Sequence, residues 1–182
     1  ASGIPIFAKT GVLNAGPLNC TFLNEIRESA EQYSLPLEVL AADEVMQRWP
    51  GIHLPADYYG CLEPTSGVLY SENGIRAYRE LALASGATLL TNTPVTQLEP
   101  AGNGFIVHTE SASYHGDKVL LSAGAWNGSL LDSLGLSIPL KPTRKTVAWF
   151  GADEGQYRAD GFPALIFRLH DSMFYGFPCF DG

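Results

Sequence analysis

The stretch Lys118-Val-Leu-Leu-Ser-Ala-Gly-Ala-Trp126 decides the fold class. Its apolar residues follow one another without alternation, which is typical of a strand that a sheet buries on both faces. The small residues from Ser122 to Ala125 predict a tight turn into a short helix over 126–134. Such a turn lets a backbone approach an anionic ligand, although close packing alone explains it as well. A strand that leads directly into a helix predicts an α/β fold with some α+β character.

Outward from this stretch, the hydrophobic pattern alternates between helical and β periodicity. Helical spacing of apolar residues predicts helices over 19–33, 42–49 and 72–85, with glycine or proline after each. Apolar runs bounded by turn residues predict the strands. These runs are 11–16, 87–92, 94–100, 104–110, 113–124, 139–152, 163–170 and 173–180.

The composition excludes several classes of partner. The 182 residues carry 19 acidic against 11 basic side chains, a formal net charge of -8, so we predict no nucleic-acid partner. No apolar run is long enough for a membrane span, so no membrane partner is expected. The cysteines at 20, 61 and 179 show neither metal-ligand spacing nor a disulfide framework. We therefore predict no metal site and a cytoplasmic protein with reduced thiols.

Residue spacing alone identifies no catalytic group. The four histidines form no arrangement with serine and aspartate, and no Gly-x-Gly-x-x-Gly loop occurs. The aromatic run from Phe174 to Pro178 suits a wall of a substrate pocket, but aromatic residues at strand spacing more often fill a sheet core. Without further information the sequence predicts only an α/β domain.

Five short motifs in order resemble a known family. They are Thr10–Leu13, Arg48–Ile52, Glu63–Leu69, Val119–Trp126 and Tyr175–Pro178. Together they resemble the monomeric sarcosine oxidase and N-methyltryptophan oxidase family over nearly the whole chain. The runs Gly16–Leu23 and Arg144–Trp149 favour the N-methyltryptophan oxidase branch.

The resemblance implies a fold and an activity. Family members combine a Rossmann-like FAD domain with a substrate domain on a mixed sheet. They oxidise a secondary N-methyl amine, which yields the demethylated amino acid, formaldehyde and hydrogen peroxide. The implied partners are an N-methyl amino acid and oxygen, the implied cofactor is FAD, and the full-length protein would be a monomer. The implied division is substrate domain over 1–66 and 136–182, with a segment of the FAD domain over 67–135.

The resemblance also assigns individual residues. Val95 would contact the adenosine end of FAD through its backbone, and Ala123, Gly124 and Trp126 would line the cofactor cleft. Ile166 and Tyr175 would face the substrate, with the Tyr175 hydroxyl bonded to its carboxylate. The strand 119–121 is expected to be buried, in a different sheet from residues 164–169.

The family's remaining functional parts have no counterpart in these 182 residues. Its glycine-rich strand would precede the chain, and its catalytic lysine and histidine and its flavin-anchoring cysteine would follow. We therefore interpret the chain as a central piece with no catalytic residue of its own, inactive alone. Two alternatives stay open: a flavoprotein of the D-amino-acid or glycine oxidase type, and a binding module without catalysis.

Overall fold

A computed structural model describes residues 2–180, which form ten strands and five helices. The strands are β1 (Phe7–Ala8), β2 (Val12–Pro17), β3 (Glu38–Ala41), β4 (Tyr58–Glu63), β5 (Val68–Leu69), β6 (Val95–Ala101), β7 (Gly104–Thr109), β8 (Ser113–Gly116), β9 (Ala164–Arg168) and β10 (Met173–Gly176). The helices are α1 (Thr21–Gln32), α2 (Ala42–Arg48), α3 (Ser71–Ala84), α4 (Asn127–Asp132) and α5 (Glu154–Tyr157), with a single 3-10 turn over Gly124–Trp126 before α4. None of these helices has the length and apolar character needed to cross a membrane.

The chain divides into two compact units. Residues up to 85 and from 150 onward form the first unit, and residues 86–149 form the second. The first unit contains a five-stranded mixed sheet in the order β10-β9-β2-β4-β3, beside the small pair β1-β5. All neighbours in the large sheet are antiparallel except β2 and β9, which run parallel. The predicted α/β class with a mixed sheet is confirmed.

Strand β2 is the centre of this sheet because its residues are small or apolar and its backbone pairs on both sides. Leu13 and Ala15 have no accessible surface and lie on the face covered by α2. They pack there in one cluster with Val45 and Trp49. Burying residues of this size contributes roughly 1.5–3 kcal/mol for each large side chain. We call this side of the sheet the α2 face.

The motif Arg48–Ile52 ties α2 to the segment that leads into β9. The Trp49 indole N–H donates a hydrogen bond of 3.0 Å to the Gly161 carbonyl. Gly51 lies against the ring of Tyr157, where a β-carbon would stand only 2.6 Å from the ring atoms. A side chain at position 51 would therefore require the Tyr157 ring to shift, and the Trp49 bond positions β9 beside β2.

Helix α1 covers part of the opposite side of the sheet, which we call the α1 face. Its buried Leu23 packs with Cys20 against Tyr59 and Cys61 of β4. No side chain caps the first turn of α1, since its N-cap residue is Cys20. The helix is therefore held mainly by the burial of its apolar side, as is usual for short helices in proteins.

The second unit is built on an antiparallel sheet in the order β6-β7-β8. A turn over Gly102–Asn103 joins β6 to β7, with Gly102 at a φ of +58°. Helix α4 packs on β6, where the Leu98 amide donates to the Ser133 hydroxyl at 3.2 Å. The strands and helix predicted for 94–110 and 126–134 are thus confirmed.

Two predicted strands and the second part of a third, the run 113–124 that contains β8, are wrong. Residues 87–92, 118–124 and 139–152 form no strand in the part of the chain that the structure describes. Leu120, expected to be buried, is 91% exposed. An extended segment becomes a strand only where a neighbouring strand takes up its backbone hydrogen bonds. Neither the segment 118–124 nor the segment 139–152 has such a neighbour within residues 2–180, so apolar character alone misled the prediction.

Two glycine substitutions test the packing of the first unit. A β-carbon on Gly67 would overlap the Ala8 carbonyl oxygen, whereas one on Gly74 in α3 would have nothing within 4 Å. We expect Gly67→Ala to lower the free energy of unfolding by about 1–3 kcal/mol, because β1 must move away from β5. Gly74→Ala should instead raise it by about 0.5–1 kcal/mol, because alanine favours helix. Urea unfolding measures both, and equal effects would contradict this account.

Candidate functional site

The strand register places the two predicted substrate residues side by side. Tyr175 of β10 is directly opposite Ile166 of β9, which in turn pairs with Asn14 of β2. Asn14 pairs with Cys61 of β4. Directly paired residues point to the same side of a sheet, so these four residues form one row across the α1 face.

Helix α1 covers only one end of this row. It packs on Tyr59 and Cys61, whereas at the other end the side chains of Met173 and Tyr175 are more than half accessible, with Tyr175 54% exposed. The Tyr175 ring also makes an edge contact with Phe177, with ring centroids 5.9 Å apart. We call the part of the α1 face on β9 and β10 the open half. Ile166 and Tyr175 lie there.

Two titratable groups lie under α1 at the covered end. Burial raises the pKa of the Cys61 thiol and of the Tyr59 hydroxyl, and the nearby Arg27 opposes both shifts. The Tyr59 hydroxyl donates a long hydrogen bond of 3.5 Å to the Asn24 side-chain oxygen. Both groups are therefore neutral at physiological pH, and Cys61 has no character of a nucleophile.

The four predicted cofactor residues all belong to the second unit. Ala123, Gly124 and Trp126 lie together in the 3-10 turn, and Val95 is the first residue of β6. Gly124 has a φ of +55°, a conformation that favours glycine, and a β-carbon there would meet nothing within 4 Å. Trp126 is 74% exposed. The turn is thus an accessible surface with an exposed indole.

The predicted anion site at the start of α4 is less favourable than the sequence suggested. Helix α4 has only six residues. The Ala123 amide, one of the groups that would face an anion, already donates to the Asn127 side chain at 2.9 Å. Both facts reduce the positive potential available at this terminus, because the effect depends on free N–H groups and on aligned peptides.

Sequence reasoning missed two polar residues on the α1 face. Asn14 interrupts an apolar strand and is only 7% exposed, and Arg168 ends β9 on the same side as Ile166. A polar residue within an otherwise apolar strand was the available signal. It is informative because buried polar groups require partners.

Comparison with known proteins establishes the family. The family model described as FAD dependent oxidoreductase (DAO) matches residues 1–182, and the chain belongs to this family. It is 46% identical over 179 residues to a monomeric sarcosine oxidase from Bacillus sp. (strain B-0618), covering 97% of this chain and 46% of that protein. It is 39% identical over 175 residues to an N-methyl-L-tryptophan oxidase from Salmonella heidelberg (strain SL476), covering 96% of this chain and 46% of that protein.

Solved structures show the same fold. An open form of a mutant of NikD, an unusual amino acid oxidase essential for nikkomycin biosynthesis, aligns with a TM-score of 0.76 at 23% identity, over 96% of this chain and 46% of that one. A glycine oxidase from Geobacillus kaustophilus aligns with a TM-score of 0.63 at 21% identity, over 74% of this chain and 37% of that one. At these identities the likeness concerns the fold alone.

The comparisons correct one prediction and set one limit. Identity to the sarcosine oxidase is higher than to the N-methyltryptophan oxidase, so the preference for the latter branch is wrong. That preference rested on two short runs, too few residues to outweigh the rest of the chain. The chain spans about half the length of these curated relatives, 46% in each case.

The buried thiol predicts a loss of stability at alkaline pH. Burial raises the pKa of Cys61 in the folded protein. The buried neutral thiol therefore makes its full contribution to the free energy of unfolding below the unfolded pKa of about 8.5. Above that pH the unfolded chain releases the proton first, so stability falls by up to about 1.4 kcal/mol per pH unit until the folded pKa is reached. Burial also raises the pKa of Tyr59, so Tyr59 adds a loss in the same direction from about pH 10 upward.

Urea unfolding of the wild type and Cys61→Ala between pH 7 and 10 measures this loss. We expect the variant to have a flatter pH dependence than the wild type. Cys179→Ala removes a thiol outside this cluster and should keep the wild-type slope. If the free energy of unfolding falls with pH equally steeply in all three proteins, Cys61 is not the source of the alkaline loss of stability.

Proposed function

We propose that the complete protein that carries this chain is a FAD-dependent oxidase of N-methyl amino acids. It would convert sarcosine or N-methyltryptophan to the amino acid, formaldehyde and hydrogen peroxide, with oxygen as electron acceptor. The observation that carries this proposal is the Ile166–Tyr175 pair on the open half, in a chain 46% identical to a sarcosine oxidase. No residue of this chain is assigned to proton transfer or covalent chemistry.

The two substrate residues have different roles in this proposal. The Tyr175 hydroxyl donates a hydrogen bond to the substrate carboxylate, which fixes the orientation of the amino acid. Ile166 supplies an apolar surface beside it, and the antiparallel register keeps the two side chains adjacent. FAD, when bound, supplies the chemistry as the acceptor of a hydride from the N-methyl carbon. These residues contribute position, which is the usual share of the protein in a cofactor enzyme.

The cofactor contacts are part of the same proposal. Val95, Ala123, Gly124 and Trp126 would contact FAD, and residues 67–135 would belong to its domain. The left-handed Gly124, with open space on its side-chain face, and the exposed Trp126 indole fit close approach by one edge of a flat cofactor. Since Ala123 already bonds to Asn127, the pyrophosphate would be bound elsewhere.

We also propose that the complete protein acts as a monomer in the cytoplasm. The monomeric state is supported by the name of the sarcosine oxidase relatives. The cytoplasmic location is supported by the cysteines at 20, 61 and 179, which are all free. Free thiols in this number are usual for a reducing compartment.

Flavin content and peroxide release test the function. The purified complete protein should be yellow and release peroxide and formaldehyde in equal amounts from sarcosine or N-methyl-L-tryptophan. Isolated residues 1–182 should be colourless and show no saturable quenching of FAD fluorescence at micromolar concentration, because the glycine turn that cradles a pyrophosphate is lacking here. Oxidation of glycine or D-alanine in preference to the N-methylated substrates would favour the glycine oxidase alternative and contradict this proposal.

Removal of one hydroxyl tests the role of Tyr175. In the complete protein, Tyr175→Phe should lower kcat/KM for sarcosine by about 10- to 150-fold, the effect of a lost hydrogen bond to a charged group. Tyr33→Phe removes the hydroxyl of another exposed tyrosine, which lies after α1, and should leave kcat/KM unchanged. If the two variants behave alike in steady-state kinetics, Tyr175 does not orient the substrate.

A further inference from the structure

Met173 places an accessible thioether on the open half of the α1 face. It lies two residues before Tyr175 on β10, so the two side chains point to the same side, roughly 6.6 Å apart along the strand. The Met173 side chain is 52% exposed. A small oxidant in solution therefore reaches this sulfur without any opening of the fold.

The residue opposite Met173 confirms which side of the sheet the thioether faces. Met173 pairs directly with Arg168 at the end of β9. A β-carbon on Gly16 would stand 3.2 Å from the Arg168 β-carbon and 3.4 Å from Leu23 of α1, so Arg168 lies on the α1 face. Met173 lies on the α1 face as well, because directly paired residues point to the same side of a sheet.

The other sulfur atoms of the chain are less accessible. The 182 residues contain two methionines and three cysteines. Met46 is partly buried and packs against the cluster of the α2 face, and Cys179 is also partly buried. Cys20 and Cys61 are buried under α1, and burial raises the pKa of Cys61, which keeps this thiol in its unreactive protonated form. Met173 is thus the sulfur most open to attack by an oxidant.

We propose that Met173 is a modification site at which hydrogen peroxide, the product of the reaction, limits the enzyme that makes it. The proposal rests on the proposed oxidase function, which supplies the peroxide. The thioether sulfur attacks one peroxide oxygen, the O–O bond breaks, and the methionine becomes its sulfoxide. The sulfur loses two electrons, the peroxide gains them, and both peroxide protons leave on one molecule of water.

Oxidation changes the surface beside the two predicted substrate residues. The thioether is apolar, whereas the sulfoxide is polar and accepts hydrogen bonds. None of the salt bridges found within residues 2–180 involves Arg168, so its guanidinium is available to donate to the new oxygen directly opposite. This bond would hold a polar group next to Ile166 and Tyr175, and the altered surface would bind the amine less well.

Turnover by the complete protein tests the site. During oxidation of sarcosine, peptide mapping by mass spectrometry should find one added oxygen on Met173 at least about fivefold faster than on the partly buried Met46. The kcat/KM for sarcosine should fall in step, by about three- to tenfold, because a polar oxygen then lies beside the apolar Ile166. Catalase in the buffer should prevent both changes, and methionine sulfoxide reductase should reverse them.

Three substitutions separate Met173 from the other sulfurs. Met173→Leu keeps the size and the apolar character of the side chain, and this variant should retain its initial kcat/KM through the same number of turnovers. Met46→Leu and Cys179→Ala are the controls and should lose activity as the wild type does. Loss at the wild-type rate in Met173→Leu, or protection by one of the two controls instead, overturns the proposal.

Added hydrogen peroxide separates this proposal from the oxidase function. The complete protein is treated with peroxide in the absence of any amine, and the same peptides are followed. If no N-methyl amine is oxidised but Met173 gains oxygen ahead of Met46, the oxidase function fails while Met173 stands as a site of oxidation. If amines are oxidised but Met173 gains oxygen no faster than Met46 under either treatment, the modification site fails and the oxidase function stands.

Discussion

The pairing of β2 with β9 is the contact on which the first unit depends. Residues 12–15 and 164–167 lie about 150 positions apart in sequence, yet they form the parallel pair at the centre of the sheet. Parallel neighbours need a long crossover, and bringing such distant segments together costs conformational entropy that grows slowly with the length of the loop. Once it forms, the register places Ile166 beside Asn14, and the hairpin to β10 then places Tyr175 beside Ile166. The positions of Ile166 and Tyr175 on the open half therefore follow from a long-range contact.

The sequence predicted those elements whose stability is local or whose two faces are both covered within the chain. The β6–β7 hairpin was predicted because its turn glycine and its alternating strands lie next to each other. Strand β2 was predicted from a short apolar run, and both of its neighbours are present. The segment 118–124 has an equally apolar pattern but has no strand beside it within residues 2–180, and Leu120 is exposed. The hydrophobic pattern shows which segments are suited to be strands. A strand forms only where a neighbouring strand pairs with its backbone.

The same distinction explains how much of the candidate site could be foreseen. The spacing of Ile166 and Tyr175 on either side of a hairpin turn was visible in sequence, and only the resemblance to a family marked them as substrate residues. The position of Asn14 beside them was not visible, because it depends on the parallel register of two distant strands. Arg168 was hidden for the same reason, since its side of the sheet and the space left by Gly16 follow from that register.

The two sides of the large sheet differ in a way that bears on where a ligand can bind. On the α2 face, residues of α2, Trp49 and Phe162 fill the space against Leu13 and Ala15, which have no accessible surface. On the α1 face, the short helix covers β4 and leaves β9 and β10 exposed. Exposed apolar side chains that lie beside polar groups mark a surface that another molecule or segment can cover. Polar groups at fixed positions on such a face limit what can cover it, since an apolar partner would remove the half-buried Arg168 guanidinium from water without giving it a hydrogen bond.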